Sequence, residues 1–91
     1  MSYFVYILLS KKDSHLYVGC TEDPNQRLKD HNYGKVLATQ NRRPLVMIYK
    51  EEIREKISAF SRERFLKSLW GAREKKKILN KYINKIGHIS K

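Results

Sequence analysis

Apolar positions run almost unbroken through residues 3–9 before a polar stretch, Ser10-Lys11-Lys12-Asp13-Ser14, interrupts them. A run without a wet face predicts a strand interior to a sheet. Apolar character returns over residues 16–20, so the two strands are expected to pair as an antiparallel hairpin with a loop of four or five residues. Asp23-Pro24 is a helix start, with Asp23 as N-cap and Pro24 at the first helical position. That helix should reach about residue 32, with Gly34 just beyond its end. Residues 35–43 are polar and irregular, and Pro44 opens a third strand over 45–49. Residues 51–70 read mostly as helix stopped at Gly71. A further helix over 72–86 carries Ile78, Leu79, Tyr82, Ile83 and Ile86 on one stripe, and Gly87 ends it. Lys77, Lys81 and Lys85 occupy another face of it. The order β-β-α-β-α-α predicts an α+β fold with a three-stranded sheet. One domain over residues 1–91 is expected, with its core at about 3–83 and a tail at 87–91.

Composition narrows the class. With 41% apolar residues in 91, the chain can build a modest core and is not disordered. Its longest apolar run, residues 4–9, is strand-sized, so no membrane span is expected. The chain starts directly into a strand with no secretory pattern, and the single Cys20 suits a reducing compartment; a cytoplasmic location is expected. Charge is more informative: 20 basic residues against 9 acidic ones give +11. From Ile53 onward 12 basic and 3 acidic residues supply +9 of that. Such a field draws polyanions, nucleic acid before an anionic membrane surface.

A few side chains resist a bland reading. Strand alternation puts Phe4, Tyr6 and Leu8 on one face. A four-residue loop at 10–13 would place Tyr6 directly opposite Tyr17, either as a packing pair or as two phenols at a site. Gly19 shares Tyr17's face and leaves room there or marks a bulge. Arg27 and His31 flank Leu28 and project from the helix edge that meets the sheet. Glu63 falls on the inward arc shared by Ala59, Leu66 and Trp70. A carboxylate there needs an arginine partner, a proton or a metal. Mg²⁺ accepts one carboxylate plus waters and phosphate oxygens.

Together these groups suit phosphodiester chemistry. Metal on Glu63 would polarise the phosphate, and Arg27 would take the developing charge. A phenol would serve as general base only with its pKa lowered by the adjacent cation and metal.

The same residues resemble the GIY-YIG nuclease superfamily, in particular its small stand-alone members similar to the N-terminal nuclease domain of UvrC. The first signature stands here as Phe4-Val5-Tyr6 and the second as Tyr17-Val18-Gly19. Arg27, His31-Asn32, Gly34, Arg42-Arg43-Pro44, Arg62-Glu63 and residues 67–71 follow in matching order. Where UvrC-like domains carry a lysine after the second signature, this chain has Cys20. The resemblance implies an antiparallel three-stranded sheet flanked by helices and metal-dependent cleavage of DNA, with RNA not excluded. It implies Glu63 as sole protein ligand to one Mg²⁺ or Mn²⁺ ion and Arg27 as stabiliser of the transition state. Tyr6 or Tyr17 would activate water, and His31 would orient a tyrosine or contact phosphate. Gly19 and Asn32 would be structural at the site, while Arg42, Arg43, Lys67, Lys77 and Lys81 would contact nucleic acid. A monomer is expected. The competing expectation is a nucleic-acid-binding module whose nuclease site is vestigial.

Overall fold

Three antiparallel strands in the order β2-β1-β3 form the sheet of the computed structural model, which describes residues 1–90. The strands are β1 (Tyr3–Ser10), β2 (Leu16–Thr21) and β3 (Leu45–Ile53); the helices are α1 (Pro24–Asn32), α2 (Lys56–Lys67) and α3 (Ala72–Ser90). Short 3-10 turns at Leu37–Thr39 and Leu69–Gly71 join them. The fold is therefore α+β in the expected order. β1 is central because it is apolar on both faces. Val5 and Ile7 pack with Ala59 and Leu66 of α2 and with Ile78 of α3. Tyr6 and Leu8 pack on the opposite face with Leu45, Leu28 and Met47.

The hairpin register differs from the expectation. Ser10 donates its backbone N–H to His15, so the four-residue loop is 11–14, one residue later than assumed. Pairing consequently shifts by two: Tyr6 faces Gly19, and Tyr17 faces Leu8. A shift of two preserves the face, so both phenols stay on one side without being directly opposed. Ser10 causes the displacement. Its hydroxyl is fully buried, accepts from the backbone of Lys12 and Asp13, and donates to the Arg42 carbonyl. Ser14 closes the loop at φ 65°.

A long helix over 51–70 does not form. Glu51, Glu52 and Ile53 extend β3, paired with Val5, Phe4 and Tyr3, because β1 offers backbone partners that far. A bulge at the Ile7/Leu8 step lets Ile48 and Tyr49 both join the Val5/Ile7 cluster. α2 stops at Lys67, and Trp70, expected inward, is 84% exposed. Gly87 does not end α3, which continues to Ser90. On its stripe Ile78 reaches the core and Leu79 and Tyr82 are half-buried, but Ile83 and Ile86 are exposed. Of the expected tail, Lys91 lies outside the described residues.

α1 is fixed at both ends. The Asp23 carboxylate accepts from the Gln26 N–H at 3.1 Å, and Pro24 sits where no intrahelical donor is needed. At the other end Gly34 turns the chain at φ 82°, while Lys35 donates its N–H back to the Asp30 carbonyl. The Asn32 amide accepts from and donates to the backbone of Leu45, locking the helix to the start of β3.

Candidate active site

Tyr6 stands at the centre of the site because β1 is the middle strand and Gly19 is its partner. Without a side chain at position 19 the phenol lies across β2; a Cβ there would come within 2.3 Å of the Tyr6 hydroxyl oxygen. The ring is only 3% exposed. α1 covers this face and brings two groups to the phenol. Tyr6 Oη lies 3.2 Å from His31 Nε2, and the Arg27 charge acts on the same phenol. His31 is buried, and its Nδ1 lies 2.7 Å from Thr39 Oγ1, on the 3-10 turn after α1.

These surroundings set the protonation states. Burial pushes the Tyr6 phenol up, and the Glu63 charge adds to this; Arg27 and Lys67 pull the other way without prevailing. With its pKa raised, the Tyr6 phenol is protonated at neutral pH. Burial, followed by the Arg27 charge, pushes His31 below its ordinary value, so the imidazole is neutral at neutral pH.

Glu63 reaches the site from α2, on the other side of the sheet, at the β2 edge. It is not a core carboxylate. Its side chain is 21% exposed and bonded by Lys67 Nζ at 3.0 Å, so its partner is a lysine one helical turn on and not an arginine. The inward arc was drawn through Trp70, which the end of α2 at Lys67 removes from that line. Glu63 and Lys67, with Phe60 and Arg64, border an open cavity of about 290 Å³. Their charges act on both Tyr6 and Cys20, whose thiol is pushed up first by burial and then by Glu63.

The other anticipated residues divide. Tyr17 is half-buried against the Tyr6 cluster, with its ring 6.4 Å from that of His15. Arg42 pairs with Asp13 of the hairpin loop, and the backbone bond from His15, then Ser10 and Arg42, hold the Asp13 carboxyl at about 2. Arg43 donates to the Gln40 carbonyl and lies under Gly34. Lys77 and Lys81 are exposed on α3; Lys81 borders a second cavity with Ile48, Tyr49, Ile78, Tyr82 and Lys85. Tyr6, Gly19 and His31 meet on one face with Arg27 beside them, Glu63 and Lys67 act on Tyr6 only through their charge, and Arg42, Arg43, Lys77 and Lys81 lie elsewhere on the surface. Thr39 was missed: it sits in the segment read as irregular, and no periodicity marks it. Among the described residues no three His, Cys, Asp or Glu side chains cluster as metal ligands.

A buried tyrosine, an arginine and histidine from one helix, and a rim carboxylate from another, around a three-stranded antiparallel sheet, define a small α+β domain of the GIY-YIG type. The model of the GIY-YIG catalytic domain matches residues 2–78. The chain is similar to the UPF0213 protein of Staphylococcus haemolyticus, 39% identical over 72% of this chain and 80% of that one. The UPF0213 protein of Bacillus velezensis is 41% identical over 75% of this chain and 69% of its own. The solution NMR structure of a UPF0213 protein from Bacillus halodurans shares the fold at a TM-score of 0.55 and 32% identity, covering 88% of this chain and 84% of that one. The chain belongs to the GIY-YIG nuclease superfamily, among small proteins of the UPF0213 kind.

Proposed function

We propose that this protein is a metal-dependent DNA endonuclease or nickase serving DNA repair or processing, as a cytoplasmic monomer. The observation that carries the reading is a buried phenol 3.2 Å from a neutral imidazole and within the charge field of Arg27 and of Glu63, which borders an open cavity. The donor set fits Mg²⁺ or Mn²⁺ better than zinc, since a single carboxylate with space for waters suffices. Held by Glu63, the ion would supply Lewis-acid stabilisation of the phosphate and the leaving oxygen. The protein's own groups do the rest. Arg27 stabilises charge on the non-bridging oxygens. The Tyr6 oxygen takes a proton from the attacking water as the phenol proton passes to His31 Nε2, which answers the raised phenol pKa. The new P–O bond forms as the bond to the sugar oxygen breaks, and that oxygen takes a proton from solvent.

One observation favours a second reading. Lys67 already occupies the Glu63 carboxylate, as expected in a nucleic-acid-binding module whose metal site has lapsed. Supercoiled plasmid incubated with Mg²⁺ or Mn²⁺, with chelator, and with Glu63→Ala separates the two. Nicking that needs metal and Glu63 supports the enzyme; binding without nicking supports the module. Cleavage persisting in Glu63→Ala places the activity elsewhere. Arg27→Ala should lose cleavage while keeping most DNA affinity, and a parallel RNA substrate reports nucleic-acid class.

A further inference from the structure

We propose that Thr39 is a positioning residue of this site, holding His31 as the Nδ1–H tautomer so that its Nε2 lone pair faces the Tyr6 phenol. The tautomer follows from counting protons along a buried chain. Tyr6 Oη, His31 and Thr39 Oγ1 are linked at 3.2 and 2.7 Å, and Thr39 Oγ1 lies 3.5 Å from the Val36 carbonyl, which accepts only. At the other end the phenol's neighbouring charge is Arg27, and a guanidinium offers donors but no acceptor. The phenol proton therefore has one acceptor among the described residues, His31 Nε2. Nδ1 then carries the ring proton and donates it to Thr39 Oγ1, whose own proton turns to Val36. The opposite orientation, with Thr39 donating to Nδ1 and Nε2–H to Tyr6, leaves the phenol proton without a protein partner. An unpaired buried donor costs about 1–3 kcal/mol. Tyr6, His31 and Thr39 are 3%, 5% and 1% exposed, so only a water entering at the phenol oxygen itself relieves that cost.

The groups facing His31 agree with this assignment. Burial and the Arg27 charge disfavour the imidazolium, while Asp30 of its own helix opposes them more weakly. Thr39 is brought to the imidazole by the 3-10 turn, where its N–H also caps back to the Val36 carbonyl at 3.1 Å. The turn thus places a single hydroxyl where it selects which imidazole nitrogen faces the tyrosine. The consequence for catalysis rests on the proposed nuclease reading; the tautomer does not.

The test is ¹⁵N–¹H correlation of the imidazole rings in the uniformly labelled full chain at pH 8, with His31 assigned by its absence in His31→Gln. The wild type and Thr39→Ser should show a protonated Nδ1 and a lone-pair Nε2. Thr39→Val, which has the same shape but no hydroxyl, leaves Nδ1–H without its acceptor and should populate both tautomers. With DNA affinity unchanged, its nicking rate should fall roughly 100-fold and return in Thr39→Ser. A wild-type His31 protonated at Nε2 overturns the proposal whether or not Thr39→Val folds, as does a valine variant whose Nδ1-protonated fraction equals the wild type's. If no variant nicks DNA but the tautomer shifts as described, the assignment of Thr39 stands and the nuclease reading falls.

Discussion

Gly19→Ala tests whether the site depends on the space a missing side chain leaves beside the phenol. A Cβ at position 19 would lie 2.3 Å from Tyr6 Oη, 2.4 Å from Cζ and 2.9 Å from Cε2. Ordinary contact starts at 3.4 Å, so the closest pair must separate by about 1.1 Å. The phenol sits 3.2 Å from His31, and a shift of that size either breaks the hydrogen bond or drives the ring into the imidazole. Overpacking of this kind costs about 1–3 kcal/mol. Alanine recovers roughly 0.5–1 kcal/mol over glycine in a strand, leaving a net loss of about 1 kcal/mol. Misplacing a reacting group by about 1 Å should lower cleavage on the order of 100-fold. Urea denaturation and plasmid nicking measure the two effects together. Gly87→Ala is the control: among the described residues nothing lies within 4 Å of its added carbon, so it should stabilise α3 by up to about 1 kcal/mol and leave cleavage unchanged. A Gly19→Ala protein that is more stable than wild type and cleaves normally would refute the reasoning.

Three further outcomes follow from the same geometry. The folded chain keeps His31 neutral where the unfolded chain protonates it near 6.5, so stability from this group is present above pH 6.5 and declines as pH falls below it. Urea midpoints between pH 5 and 8 should show that decline, and an equal slope in His31→Gln would rule out this source. Arg62 joins β3 to α3 by bonding Glu51 at 2.9 Å and Glu74, and the Glu74 bond, then Glu51, hold it cationic. Because all three are partly exposed, Arg62→Ala should cost about 1–2 kcal/mol in the urea midpoint; less than about 0.5 would mean that solvent screens the cluster. Trp70→Ala should change stability by less than about 0.5 kcal/mol, as its exposure demands. A larger thermal destabilisation would place Trp70 in the core after all.

The sequence by itself determined the type and order of the elements. β1, apolar on both faces, had to be central, and Asp23-Pro24 and Gly34 bounded α1, because capping and hydrophobic patterning act over a few residues. Arg27 and His31 could be placed at the sheet-facing edge of α1 from helical spacing alone. Register was not legible: Ser10 moved the hairpin loop by one residue through a bond to Arg42, 32 positions away, and so replaced Tyr17 with Gly19 opposite Tyr6. The end of β3 was hidden for the same reason, since Glu51 and Glu52 look helical until β1 supplies their backbone partners. Glu63 was singled out correctly as unusual but for too deep a position, because its line was drawn past the true end of α2. Thr39 could not be read at all. Its meaning comes from one contact, 2.7 Å from an imidazole nitrogen, and only the packing of α1 on the sheet decides where that nitrogen lies. Local order follows from short-range propensity; protonation, pairing and access follow from which distant groups the fold makes neighbours.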